Sequence, residues 1–124
     1  MASYWRLQGS DSTCSGQVAT ELIRRRLASG TCETWFHDDA GRSLAVLTNG
    51  ARTLLIFMIS EGDPGEHAVD LGAEGRSGGC ILLNGQHDHY ANRDTVLFDQ
   101  ACDVVRCIID LDEWPEHVSR EVDR

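Results

Sequence analysis

The sequence predicts an α+β fold, with a largely antiparallel β-sheet of about five to seven strands and an N-terminal and a C-terminal helix packed on one face. Three observations carry this reading. Apolar residues recur at helical spacing near each end of the chain, short apolar or alternating runs fill the middle, and Asn-Gly pairs with Gly-rich stretches separate those runs. A chain of 124 residues is long enough to bury one core, so residues 1–124 are read as a single domain.

The first helix is expected over 15–29. Ser15 or a neighbour caps it, Gly30 stands where a left-handed C-cap belongs, and Ala19, Leu22, Ile23 and Leu27 form its apolar stripe. Arg24, Arg25 and Arg26 fall in its last turn, where cations oppose the helix dipole. A meander follows. ETWFHD (33–38) and SLAVLT (43–48) are strands, and Asn49-Gly50 makes a hairpin turn into RTLLIFMIS (52–60). That run is apolar on both faces, which places it centrally in the sheet. After the turn EGDPG (61–65), EHAVDL (66–71) is a strand and GAEGRSGG (72–79) a flexible loop. CILL (80–83) is a short strand, Asn84-Gly85 turns the chain again, HDHYA continues beyond it, and DTVLF (94–98) is extended. In the C-terminal helix Ala101, Val104, Val105, Ile108 and Ile109 form a core-facing stripe. Asp99 is its N-cap or first-turn acid, and Trp114-Pro115 ends it.

Charge excludes one class of function. Residues 1–60 hold five acids against six arginines, whereas residues 61–124 hold fifteen acids against five arginines. A direct nucleic-acid binder needs the opposite sign. An acidic half suits solubility, and it equally suits a basic protein partner whose encounter it would steer. No lysine occurs, as GC-rich codon usage would produce. No apolar run approaches the ~20 residues that span a bilayer. MASYWRLQGSDST lacks the basic-then-apolar pattern of a secretory leader, so the expected location is the cytoplasm. The five cysteines include no CxxC pair, and their odd number leaves at least one unpaired. Cys80, Cys102 and Cys107 lie among apolar neighbours and are read as small core residues, while Cys14 sits in polar surroundings.

Candidate chemistry is sparse. No GxSxG occurs, and GAEGRSGG matches neither GxxxxGK[ST] nor GxGxxG. No catalytic residue and no cofactor is assigned. LNGQHDHY (83–90) stands out. On a strand His87 and His89 share one face, and Asp88 and Tyr90 share the other. Two histidines at that spacing reach one metal ion, but a stable site needs three or four ligands, with His37 and Asp38 the nearest further donors by type. A small metal-dependent enzyme using His87 and His89 is therefore one alternative, a polar edge strand is another, and a non-enzymatic adaptor module a third. Trp114 either covers the base of the C-terminal helix or anchors an interface.

Residues 43–118 resemble the first-numbered family of immunity proteins from bacterial polymorphic toxin systems. The resemblance is carried by Asn49-Gly50, Ala68-Val69-Asp70, Asn84 to Tyr90, Thr95-Val96, Asp99-Gln100-Ala101 and Trp114-Pro115-Glu116. Two positions depart from the pattern: Leu97 stands where proline is expected, and Asp112 where glycine is expected. The resemblance implies a cytoplasmic antitoxin that carries out no reaction. It would bind and block the C-terminal catalytic domain of a cognate secreted toxin, often one acting on nucleic acid, such as a cytosine deaminase. A toxin of that kind needs a basic groove, which an acidic inhibitor complements. Glu61, Asp63, Glu66, Asp70, Glu74 and Asp88 cluster in turns of the acidic half. The expected partner-binding set is Glu61, Asp63, Glu66, Asp70, His87, Asp88, His89 and Tyr90.

Overall fold

The computed structural model describes residues 4–124. The opening Met1-Ala2-Ser3 of the stretch read for a leader lies outside the described residues. The elements in order are β1 (Trp5–Leu7), α1 (Gly16–Ala28), β2 (Glu33–Asp38), β3 (Ser43–Thr48), β4 (Arg52–Met58), β5 (Glu66–Val69), β6 (Arg76–Ile81), β7 (His87–Ala91), a 3-10 turn (Asn92–Asp94), β8 (Val96–Leu97), α2 (Phe98–Leu111) and β9 (Ser119–Val122). The fold is α+β, with an open, antiparallel main sheet in the order β1-β2-β3-β4-β5-β9, and β8 pairing with β4 beside β5. Strands β6 and β7 form a separate two-stranded sheet. No helix among the described residues is long and apolar enough to cross a membrane.

Both helices lie on one face of the main sheet. Ile23 of α1 and Val104, Val105, Ile108 and Ile109 of α2 close over Phe36, Leu44, Val46, Leu55 and Ala68. The helices approach closely at Gly16, where a Cβ would lie 2.7 Å from the Arg106 Cα, so this position tolerates no side chain. Ser15 caps α1 by accepting from the Val18 amide. The opposite face of the sheet explains why β4 is apolar on both sides. Its Leu55 enters the helix-side core, whereas Leu54, Ile56 and Met58 join a second cluster with Ala45, Leu47, Trp35 and, from the small hairpin, Cys80, Leu82 and Tyr90.

Several boundaries differ from expectation. The segment read as a flexible loop, 72–79, turns into strand at Arg76. Its glycines form an irregularity between Ser77 and Cys80, with Gly79 at φ +92°. Glycine normally argues against a strand interior, but a bulge uses it. Strand β4 ends at Met58 rather than residue 60, and β5 at Val69 rather than 71. Only Val96 and Leu97 of 94–98 are strand, since Phe98 already begins α2. Strands β1 and β9 went unpredicted, as each is short and lacks alternation.

Helix α2 ends earlier than the Trp114-Pro115 signal suggests, at Asp112, which adopts the left-handed conformation (φ 57°). Asp112 is the residue that departs from the family pattern, and it takes the backbone conformation that the expected glycine favours. Leu97 behaves likewise, because its φ of −61° is the value a proline would lock. It keeps an N–H that proline lacks and donates it to Gln100 Oε1 at 3.1 Å. Asp99 is the first-turn acid of α2, and Leu97 is the N-cap.

Cys80 is buried as expected but is not a free thiol, because it forms a disulfide with Cys32, 48 residues earlier, across a Cα–Cα distance of 5.7 Å. Topology alone creates this pairing, by laying the β6–β7 hairpin over the residue that precedes β2. Cys14, Cys102 and Cys107 are free.

Candidate partner interface

The acids of the EGDPGEH turn are largely engaged within the fold. Asp63 accepts from the Arg124 guanidinium at 2.9 Å and from the Ile59 amide at 3.0 Å. The Arg124 hydrogen bonds, then the amide, hold its carboxyl at about 2. Glu66 is buried between Arg120 and Arg124, each at 2.7 Å. Asp70 accepts from Arg52 at 3.1 Å, and Arg52 also bonds the Asn92 and Thr95 carbonyls. Of this set Glu61 stands exposed, as does Glu74 beyond it. Three of the acids expected to meet a partner therefore hold strands and the C-terminus in place. The signal that could have shown this is the arginine pair Arg120 and Arg124, which has no role in the helix stripe.

The hairpin settles which face of HDHY points outward. His87 and His89 are exposed, while Asp88 and Tyr90 are half-buried against the main sheet, beside Leu47, Asn49, Arg52 and Leu54. The His89 ring occupies the space across from Gly78, where a Cβ would come within 2.4 Å of Nδ1. The bulge glycines thus give His89 its place. Strand β7 lies against the Arg52 end of β4, whereas the 59–65 turn follows its Met58 end. The 59–65 turn and the hairpin are thus separated by the length of that strand, while Asp70, bonded to Arg52, lies at the hairpin's end.

The metal readings fare differently from one another. His37 does not join His87 and His89, since its Nδ1 pairs with Ser43 Oγ at 2.8 Å and its Nε2 with Gln8 Oε1 at 2.9 Å. The metal-ligating side chains that converge among the described residues are His67, Asp94 and Glu121. Arg93 already supplies a cation there, 3.3 Å from Asp94 and 3.6 Å from Glu121. His67 Nδ1 also faces Asp123 at 2.7 Å and its Nε2 faces Asp94 at 3.1 Å.

Burial pushes the His67 imidazolium down, but hydrogen bonds and charges from Asp123 and Asp94 outweigh it, and the pKa is raised from its ordinary 6.5. A folded-state pKa above the unfolded one stabilises the fold fully below the ordinary imidazole value, and this contribution is lost as pH rises through the raised value. It joins β5 to β9 and to the 3-10 turn, so β9 should loosen toward alkaline pH. Urea midpoints of wild type and His67→Gln are expected to differ most near the acidic end of that window and to converge above it. A constant difference across the window would show that the charge on His67 contributes nothing.

A cleft at the other end of the sheet brings further exposed acids beside an aromatic ring. Arg42, Phe57, Ile108, Asp112, Glu113, Trp114 and Arg120 enclose a cleft of about 400 Å³ between the end of α2 and the Met58 end of β4. Its floor is tied internally: Arg42 binds Asp38 at 2.7 Å and pairs with Asp112, and Arg120 stacks over Trp114 at 5.4 Å while bonding Glu66. Glu113 lines the cleft and is exposed, and Glu116, also exposed, follows two residues after Trp114, whereas Asp110 is turned to α1, where it accepts from the Gly16 amide at 2.8 Å. Trp114 is half-buried and donates to the Val118 carbonyl at 2.6 Å, so its ring is held at the cleft wall. The sequence marked Trp114 as a possible anchor but not the acids beside it, because DLDEWPE reads locally as a helix terminus.

No family model matches the sequence, and no curated protein matches it. The free thiols offer no nucleophile of lowered pKa: burial raises Cys14, with Asp110 adding to it, and burial likewise raises Cys102 and Cys107.

Proposed function

We propose that this chain is a cytoplasmic immunity protein, a stoichiometric inhibitor of a cognate secreted toxin whose catalytic domain acts on nucleic acid, with a cytosine deaminase as the leading class. The observation that carries the proposal is the pair of exposed acids flanking Trp114 at the cleft, Glu113 and Glu116, with Glu61 on the turn at the same end of the sheet. A toxin groove that holds phosphates is basic, and an inhibitor that occupies it presents carboxylates instead. Trp114 at the cleft wall supplies an aromatic anchor of the kind that dominates interface energies. The backbone at Leu97 (φ −61°) and Asp112 (φ 57°) is one that the expected proline and glycine could also adopt.

The test is co-expression with the catalytic domain encoded immediately upstream. A one-to-one complex should form, burying at least about 1,200 Å², and should weaken as salt rises. The triple variant Glu61→Arg, Glu113→Arg, Glu116→Arg is expected to weaken it by about a hundredfold or more, as loss and reversal of several close charge pairs would. His87→Ala with His89→Ala, at the far end of the sheet, should leave affinity within about threefold. If no complex forms, the immunity reading fails. If the histidine pair matters and the acids do not, the contact lies on the hairpin.

A further inference from the structure

The β6–β7 hairpin is attached to the rest of the molecule unlike any other part of the sheet. It forms its own two-stranded ladder and shares no strand pairing with the main sheet among the described residues. A two-stranded hairpin is marginal by itself in water. Its polar ties to the sheet are few: Asn49 Nδ2 donates to the Gly78 carbonyl at 2.9 Å, and the Leu83 amide donates to Glu33 Oε1 at 3.0 Å. Its apolar support is the second cluster, where Cys80, Leu82 and Tyr90 meet Ala45, Leu47, Trp35, Leu54, Ile56 and Met58. The chain enters the hairpin through Gly72 and Gly75 and bulges at Gly78 and Gly79. Against this light attachment stands one covalent bond, Cys32–Cys80, at its centre.

We propose that the Cys32–Cys80 bond is a redox latch, which fixes the hairpin on the sheet when oxidised and releases it to move when reduced, with the helix-side core intact in both states. Disulfides in reducing compartments are mainly redox-responsive rather than permanent. The two cysteines are nearly buried, at 6% and 4% exposure, so reduction waits on a small local opening around the bond, and full release of the hairpin follows it. A glutathione thiolate attacks one sulfur and expels the other as a thiolate, leaving a mixed disulfide. A second glutathione thiolate attacks the glutathione sulfur of that species. The products are oxidised glutathione and two cysteine thiols, which take up the two protons of the glutathione thiols, and two electrons have passed to the protein. Glutathione disulfide reverses the sequence. The helix-side cluster contains neither cysteine, which is why release should stay local. The outward His87 and His89 and the exposed Ile81 and Leu83 would change their fixed arrangement with the latch.

Hydrogen exchange on the oxidised chain, the glutathione-reduced chain and the Cys32→Ser, Cys80→Ser variant tests the latch. Millimolar glutathione should reduce the bond, and amides in β6 and β7 should then lose at least about tenfold in protection, while those of α1, α2, β3 and β4 keep theirs. The double serine variant should match the reduced chain and not respond to the glutathione ratio. Three results would each overturn the proposal: a bond that millimolar glutathione leaves intact, equal hairpin protection in all forms, or loss of protection throughout the chain on reduction. The last would make the bond a staple of the whole fold. The premise of a reducing compartment rests on the cytoplasmic location proposed above, but none of these readouts involves the proposed toxin, so failure of the latch is distinguishable from failure of the immunity reading.

Discussion

Replacing Phe36 with alanine is expected to lower the unfolding free energy by about 4 kcal/mol, the largest effect of any single truncation considered. Phe36 is fully buried in β2, with Leu7 of β1 and Leu44 of β3 as its cross-strand partners, in the helix-side core. Removing the ring takes away its own burial and also leaves a hole that three strands and a helix must collapse around. A rigid sheet closes such a hole poorly, so the cavity adds to the transfer cost. Urea unfolding followed by circular dichroism measures the change, with an unaltered m-value as the sign that the denatured state is unaffected. A loss under about 1.5 kcal/mol would show that this part of the core relaxes easily.

Replacing Asp38 with alanine is expected to cost about 3 kcal/mol, although it removes only a small polar side chain. The Asp38 carboxylate is wholly buried at the end of β2. One oxygen accepts from the Ala40 amide at 3.1 Å and the Arg42 amide at 2.7 Å, and the other accepts from Arg42 Nε at 2.7 Å. Without it two amides of the β2–β3 turn lose their acceptor, and the Arg42 guanidinium, packed over the Trp5 and Phe57 rings, loses the more buried of its two carboxylates. A guanidinium packed against aromatic rings that keeps only Asp112 of its two carboxylates, together with two amides left without their acceptor, is what makes this removal unfavourable. Asp38→Asn retains an acceptor for the turn and loses the charge, so its effect should fall between alanine and wild type. Equal midpoints for Asn and wild type would place the whole effect in the turn amides.

How much was legible from sequence depended on the range of the interaction. Ser15, the Ala19–Ile23 stripe and the Val104–Ile109 stripe are local signals, repeated over several turns, and both helices follow them. Asn49-Gly50 and the two-sided apolar run of β4 likewise work between near neighbours in the chain. The acidic half was equally plain, because composition needs no geometry. The hairpin was half legible: Asn84-Gly85 marks its turn, and the alternation of 87–90 separates the histidines from Asp88 and Tyr90. Gly78 and Gly79 hid the start of β6, because the same residue type serves a loop and a bulge.

The roles of individual acids were not legible at all. Asp63 and Glu66 look like free turn residues until Arg124, 61 and 58 positions later, closes on them. His67 looks unremarkable until β9 brings Glu121 and Asp123 beside it and the 3-10 turn brings Asp94. The Cys32–Cys80 pairing depends on where a hairpin lies over the sheet, which no spacing of cysteines encodes. Sequence by itself determined the α+β class, both helices, the central strands and the sign of the charge, since these follow from periodicity and composition acting over a few residues. Tertiary structure alone decided which carboxylates are neutralised, which remain at the cleft rim, and which cysteines meet, because a charge or a thiol is defined by partners that folding brings from distant parts of the chain.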